Sequence, residues 1–280
     1  MTILNSNTLI KTAALAVILL LISCAGLQKA EPTVIRIQGS DTMLKLMQQC
    51  AAEFMEENPL VSIYVDGGGT SVGLERLIAG AVDICMASRT LRPDESVALA
   101  DNYQSVGMSI LIAKDALSVY LNPDNPVRDL TPEQLKLIFT GVYTNWNEVG
   151  GREETILLAS RPSNSGTHLY FRERILDGEE YEPSSLVLST TESVINYIRK
   201  HPNAIGYGGF AYGPDLPHIK INGVEPTESS IRDDQYPITR YLLLYTLEKP
   251  RGEVKKFIDW MTDVRGQVMV REAGYVPLWK

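Results

Sequence analysis

Residues 161–167 read Arg-Pro-Ser-Asn-Ser-Gly-Thr and lead straight into the apolar and aromatic stretch His168-Leu-Tyr-Phe. A helix beginning at such a place exposes about four backbone N–H groups and roughly half a positive charge at its first turn. Small hydroxylated residues there add donors, and the fork of Arg161 matches two oxygens of a tetrahedral oxyanion. The same arrangement recurs twice. Ser40-Asp41-Thr42 follows Gly39, and Thr70-Ser71 follows Gly67-Gly68-Gly69, where glycine lets backbone amides approach a ligand closely. Ser and Thr are also the commonest N-caps, so each start taken singly reads as a plain cap. Three in one chain point to capture of a small anion.

These starts need elements that bring them together. Residues 34–38 read as a strand, followed by a helix with Leu44, Met47, Ala51 and Phe54 at spacings of three and four that stops at Asn58-Pro59. Residues 61–65 form a second strand, 72–79 a helix and 83–87 a third strand. This βαβαβ order implies a parallel sheet with right-handed crossovers, at whose carboxyl ends ligands collect. A second block follows. Strands are expected at 109–113 and 117–121 around Lys114-Asp115, at 155–159 and at 205–207, with helices opening at Thr131-Pro132 and within Ser189-Thr-Thr-Glu192. A strand at 241–246 and helices over 252–261 and 267–273 close the chain. The middle block reads as an insertion into the first domain.

The 280 residues, 44% of them hydrophobic, suit one large domain or two modest ones. Residues 13–22 are an unbroken apolar run of ten, preceded by Lys11 and followed by Ser23-Cys24-Ala25-Gly26. That is a signal peptide over 1–23 rather than a membrane span, which needs about 20 residues. Leu21-Ile22-Ser23-Cys24 resembles the bacterial lipobox, in which the cysteine is lipidated; 24–33 would then be a tether. The alternative is a plain secretory signal with Cys24 incidental. From Cys24 on, 25 bases face 34 acids, a formal net charge of −9. That balance, without basic runs, argues against a nucleic-acid partner. Cys50 and Cys85 lie in apolar patterns and read either as buried free thiols or, in an exported chain, as a disulfide. His168, His201 and His218 are scattered and no CxxC pair occurs, so no metal or cofactor site is expected. Enzyme motifs fail on spacing. Gly73 stands one residue late for a GxGxxG fingerprint after Gly67 and Gly69, and no GxxxxGK[ST] is found.

Gly39-Ser-Asp-Thr42, Gly67-Gly-Gly-Thr-Ser71, Ala81-Val-Asp-Ile-Cys-Met-Ala-Ser-Arg89 and Arg161-x-x-x-Ser165-Gly-Thr167 together resemble the phosphate-binding proteins of bacterial phosphate ABC transporters. Agreement continues through Phe139-Thr-Gly-Val-Tyr-Thr-Asn-Trp146, Ile205-Gly-Tyr207, Phe257-Ile-Asp-Trp260 and Ala273-Gly-Tyr-Val-Pro-Leu278, spanning nearly all of residues 34–279. The resemblance implies a periplasmic-binding-protein-like fold of type II, two α/β lobes with mixed sheets joined by a two-strand hinge and closing on one inorganic phosphate. Lobe 1 would take 34–114 and 238–280, and lobe 2 115–237. It further implies a monomeric, non-enzymatic receptor that serves ABC transporter permease subunits, anchored to the membrane through Cys24 in the periplasm or on the outer cell surface.

Carried over residue by residue, the family's arginine and Ser-Gly-Thr fall on Arg161, Ser165, Gly166 and Thr167. Its first-loop hydroxyl falls on Thr42, beside Ser40 and Asp41, and its second on Thr70, beside Ser71. The third strand ends at Ser88-Arg89, where the chain departs from the family's aspartate. That aspartate accepts a hydrogen bond from protonated phosphate and repels sulfate. Two accounts of Arg89 are open. It points into the cleft as a second bidentate donor, with Asp41 or Asp66 as the acceptor; this is the favoured account, because two arginines plus helix ends over-neutralise an anion and call for an acidic neighbour. Or it pairs with a carboxylate and braces its loop. The departure leaves open a ligand such as sulfate, molybdate or tungstate, and a sensor without transport.

Overall fold

Apolar residues at every second position make β1 (Thr33–Gly39) a half-buried strand, with Ile35 and Ile37 turned into the core. The computed structural model describes residues 32–279; the expected signal peptide, Cys24 and most of the tether lie outside the described residues. β1 leads into α1 (Asp41–Glu57), whose buried face carries Met43, Leu46, Met47, Cys50, Ala51 and Phe54. The helix ends at Asn58, ahead of Pro59, which disfavours helical backbone at the preceding residue. β2 (Val61–Asp66), α2 (Thr70–Ile78) and β3 (Ile84–Ala87) complete the first unit, and β1 pairs in parallel with both other strands. α3 (Pro93–Tyr103) goes unmarked by the sequence pattern. Proline opens its first turn, and the Glu95 carboxylate accepts from Arg92 N at 2.8 Å.

β4 (Met108–Leu121) is one continuous strand where the sequence suggests two around Lys114-Asp115. The charged dipeptide needs no turn because both side chains find ion-pair partners in place. Asp115 faces Arg240 across the strand pair, and Lys114 Nζ bonds Asp234 at 2.6 Å and the Arg232 carbonyl at 3.0 Å. The chain then runs through β5 (Asp129–Leu130), α4 (Pro132–Phe139), β6 (Leu157–Ser160), α5 (Gly166–Arg174), β7 (Leu186–Val187), α6 (Thr191–Lys200), β8 (Ala204–Gly209), β9 (Lys220–Ile221) and α7 (Glu228–Arg232). It returns through β10 (Thr239–Thr246), α8 (Gly252–Thr262) and α9 (Val264–Glu272).

The main sheet has the order β2-β1-β3-β10-β4-β8-β6-β7 and mixes parallel with antiparallel pairs. β4 serves both halves, pairing with β10 up to Ala116 and with β8 from Leu117 onward. Each half has its own core. One gathers Ile35, Met47, Phe54, Ile112, Leu244 and Phe257, the other Leu121, Phe139, Trp146, Phe171 and Tyr207. The strand segments near Asp115 and Arg240 therefore join two separately packed bodies. Cys50 and Cys85 are buried free thiols, and burial pushes the Cys50 thiol up to about 12. Among the described residues no helix is long and apolar enough to cross a membrane.

Candidate anion-binding site

The starts of α1, α2 and α5 converge between the two bodies. A Cβ placed on Gly166, the first residue of α5, would stand 2.3 Å from Thr70 Oγ1 and 2.6 Å from Ser88 Oγ. Ser40 Oγ donates to Ser88 Oγ at 3.0 Å, and Ser88 N donates to Thr70 Oγ1 at 3.3 Å. Thr42 and Thr167, one from each body, hold their hydroxyls 3.0 Å apart. Ser40, Thr42, Thr70, Ser88, Ser165, Gly166 and Thr167 are all buried in this cluster. Residues 125 positions apart thus share one polar centre.

These three helices begin without a side-chain cap, as α3 and α8 do, but only these three begin at the hydroxyl cluster. Thr131, Thr190 and Thr227 cap α4, α6 and α7 by accepting a first-turn amide on the side-chain oxygen. Ser40 and Ser165, which occupy the same position before α1 and α5, make no such bond, and α2 begins after Gly69, which has no side chain to offer. Of their first-turn amides, Ser71 N is taken by the Asn164 carbonyl and Met43 N by the Ser40 carbonyl, and those without a protein partner are open to another acceptor. Gly69 adopts φ +91, which glycine reaches without strain, and a Cβ there would meet the Asn164 carbonyl at 2.7 Å. That carbonyl accepts from Ser71 N at 3.3 Å, while Asn164 Nδ2 donates to Gly68 O at 3.3 Å. The glycine turn of one body is therefore seated on the loop of the other.

Arg161 is buried, leaving β6 beneath an aromatic stack in which Phe171 and Tyr207 lie parallel with centroids 4.2 Å apart. Its Nη1 donates to Thr191 Oγ1 at 3.0 Å, and its Nη2 to Ser189 O and to Asp41 Oδ2, both at 2.9 Å. Its Nε has no protein partner. An unpaired buried donor is costly, and Arg89 Nε is likewise buried without a protein partner. Asp41 is engaged on both oxygens, since Oδ1 accepts from Gly68 N at 3.0 Å. Asp66, the other acceptor considered, is exposed.

Arg89 is not the second fork of the site. Its Nη1 donates to Glu95 Oε2 at 2.7 Å and to Thr90 O at 2.9 Å; its Nη2 donates to Glu95 Oε1 at 2.6 Å and to Ser71 Oγ at 3.0 Å. The favoured account is thus corrected to the bracing one. A buried guanidinium must be matched locally, and Glu95 on the unforeseen α3 supplies the match. Arg89→Ala leaves buried Glu95 with only the more exposed Arg92, 3.5 Å away, as counter-charge, an expected loss of about 3 kcal/mol in urea unfolding. Phosphate affinity is expected to fall by less than about tenfold, within 1.4 kcal/mol. A groove of about 860 Å³ is lined by Arg89 and Arg240 together with Tyr170, Arg172 and Tyr241.

The second arginine at the centre is Arg240 of β10. It pairs with Asp115 Oδ2 through Nε at 2.9 Å and Nη2 at 2.8 Å, then donates from Nη1 to Thr167 Oγ1 at 3.0 Å and from Nη2 to Thr42 Oγ1 at 3.2 Å. Burial pushes the Asp115 carboxyl up, opposed by this guanidinium. Motif reading misses both residues because neither belongs to a loop. The available signal was Lys114-Asp115 in β4 and Arg240 in β10, charges inside largely apolar strands.

His168 follows Thr167 and stacks on Tyr181 with centroids 4.4 Å apart. Burial holds its imidazole below the ordinary value. The unfolded chain takes up that proton first as pH falls below about 6.5, so stability held at neutral pH declines through this window. His168→Gln is expected to shrink the difference in urea midpoint between pH 7.5 and 5.5. His218, also lowered by burial, retains its share.

Two mixed α/β bodies with converging helix ends define a solute-receptor fold, and the chain belongs to the PBP superfamily, whose domain profile matches residues 28–265. Within it the similar proteins are phosphate-binding proteins. The phosphate-binding protein PstS of Bacillus subtilis is 34% identical over 91% of this chain and 84% of its own length, and that of Borreliella burgdorferi 27% over 87% and 89%. A Clostridium perfringens protein solved with bound phosphate, described as a phosphate ABC transporter substrate-binding protein, superposes with a TM-score of 0.82 at 30% identity, covering 88% of this chain and all of that one. A phosphate transport receptor from Vibrio cholerae gives 0.73 at 26%, over 86% and 99%.

Proposed function

We propose that the chain is an extracytoplasmic receptor that captures inorganic phosphate between its two lobes and delivers it to the permease subunits of an ABC transporter. The observation that carries this reading is the meeting of three helix ends without side-chain caps around buried hydroxyls and the open Nε of Arg161. The charge balance favours an anion. Arg161, Arg240 and Arg89 are each matched by a carboxylate, so the unspent positive potential is that of the helix ends, about 1.5 charges for three. The first-turn amides and hydroxyls are donors fixed by the fold, so little ordering entropy is lost on binding. Closure that excludes water strengthens each charge-assisted bond. No group in the cluster is set up as a nucleophile with its base, in keeping with binding and release rather than catalysis.

The ligand-contacting set is Ser40, Thr42, Thr70, Ser88, Arg161, Ser165, Gly166 and Thr167, with Asp41 and Ser71 holding arginines rather than the anion. Lipid on Cys24 keeps a monomeric receptor beside the membrane. Calorimetric titration of the purified chain with phosphate and with sulfate, at pH 5 and pH 8, tests the reading. Phosphate is expected to bind at micromolar Kd or tighter, about 8 kcal/mol, and sulfate to leave it in place at both pH values. Free displacement by sulfate would reassign the ligand to another tetrahedral oxyanion.

A further inference from the structure

Two hydroxyls from opposite lobes and one guanidinium from the joining strands make a bonding pattern with a fixed direction. A hydroxyl carries one hydrogen and two acceptor positions, whereas a guanidinium only donates. Arg240 fills an acceptor position on Thr42 Oγ1 and another on Thr167 Oγ1. The hydroxyl protons must therefore turn away from it. One serves the 3.0 Å contact between the two threonines, and the other is left to donate elsewhere. Polarisation by a charged donor strengthens that donation.

The anchoring is equally specific. Arg240 and Asp115 are cross-strand partners on β10 and β4, and both side chains are 1% exposed. The carboxylate holds Nε and one side of the fork, which leaves the other side no choice of direction. Tyr212 of lobe 2 donates to the carbonyls of Asp41 and Thr42 at 3.0 and 3.1 Å, fixing the first turn of α1 over the same spot. Thr42 travels with lobe 1 and Thr167 with lobe 2, so both bonds to Arg240 are made together only when the lobes are closed.

We propose that Arg240, anchored by Asp115, is a positioning residue of the anion site: by filling an acceptor position on each of Thr42 and Thr167 it turns their hydroxyl protons away, leaves one of them to donate to the bound oxyanion, and ties that orientation to lobe closure. This rests on the receptor reading above and goes beyond it by assigning a determinant on the joining strands rather than in a ligand loop. The hydroxyl that accepts from both Arg240 and the other threonine has its two acceptor positions filled, so it can meet the anion only as a proton donor, which suits a bare oxygen.

The test titrates inorganic phosphate into the wild-type chain, Arg240→Met/Asp115→Asn, Arg240→Lys and Thr167→Val, with thermal melting of each ligand-free protein. The double variant removes both buried charges at similar volume and is expected to melt like wild type yet bind phosphate about 30-fold more weakly, roughly 2 kcal/mol. Adding Thr167→Val to it is expected to cost little more, because that hydroxyl has already lost its direction. Binding by the double variant within threefold of wild type would overturn the proposal. So would an equal cost of Thr167→Val with and without Arg240. If the double variant does not melt cooperatively, Arg240→Lys decides: it keeps a charge opposite Asp115 but loses the fork. Its binding should weaken about tenfold, 1.4 kcal/mol, with melting unchanged, and wild-type affinity would reject the role. A wild-type chain that gives no heat with phosphate would instead reject the receptor reading itself.

Discussion

Arg161→Met is expected to weaken phosphate binding at least about 100-fold, near 2.8 kcal/mol at 1.4 kcal/mol per tenfold. Arg161 touches the hydroxyl-bearing loops from both bodies, and its buried Nε has no protein acceptor. Thr191 and Ser189 hold its fork from lobe 2, and Asp41 reaches it from lobe 1. Methionine fills much of the same volume, so the aromatic stack beneath should survive and the ligand-free protein should still unfold cooperatively. The half-buried Asp41 carboxylate loses its partner and repels an incoming anion, which adds to the lost donor. Arg161→Lys tests geometry against charge. One ammonium does not reproduce three directed donors, so most of the loss is expected to remain. Calorimetry reads both variants, and affinity within threefold of wild type for Arg161→Met would remove this residue from the site.

The second large effect comes from a single methyl group. Gly166→Ala places a carbon 2.3 Å from Thr70 Oγ1 and 2.6 Å from Ser88 Oγ, closer than real contacts allow. Thr70 is fully buried, and its side chain also accepts from Ser88 N, so it has little freedom to yield. Relief comes only by holding the lobes apart. Gly166 lies on lobe 2 while Thr70 and Ser88 lie on lobe 1, so the clash exists in the closed form and disappears in the open one. Ligand-free stability is expected to change by less than about 1 kcal/mol, since alanine favours helix over glycine by a similar amount. Phosphate binding should fall about 100-fold or more, at 1.4 kcal/mol per tenfold. Small-angle scattering with saturating phosphate should show no contraction. A contraction equal to wild type would mean that the neighbours move aside.

Set beside these, the Arg89 substitution is expected to damage folding more than binding, the reverse of what its place after the third strand suggests. The difference lies in Glu95. It stands six residues on, inside a helix whose polar and apolar residues show no clear stripe, so the sequence gives little warning that a carboxylate turns back to cover both nitrogens of the fork.

The local rules carried a great deal. Glycine followed by Ser, Asp or Thr at the ends of β1 and β2, and Ser-Gly-Thr after β6, marked where helices start and which amides they expose, because caps and turns depend on a few adjacent residues. The three-and-four spacing in α1 placed Met47, Ala51 and Phe54 in the core for the same reason, with Leu44 only partly buried. The continuity of β4 and the partnership of Arg240 with Asp115, Thr42 and Thr167 belong only to the tertiary structure. Asp115 and Arg240 are 125 positions apart, and Arg240 and Thr42 are 198 apart. A charge inside an apolar strand is costly or harmless according to what the sheet order sets opposite it, and strand order is decided by how the two cores pack, not by any window of neighbouring residues.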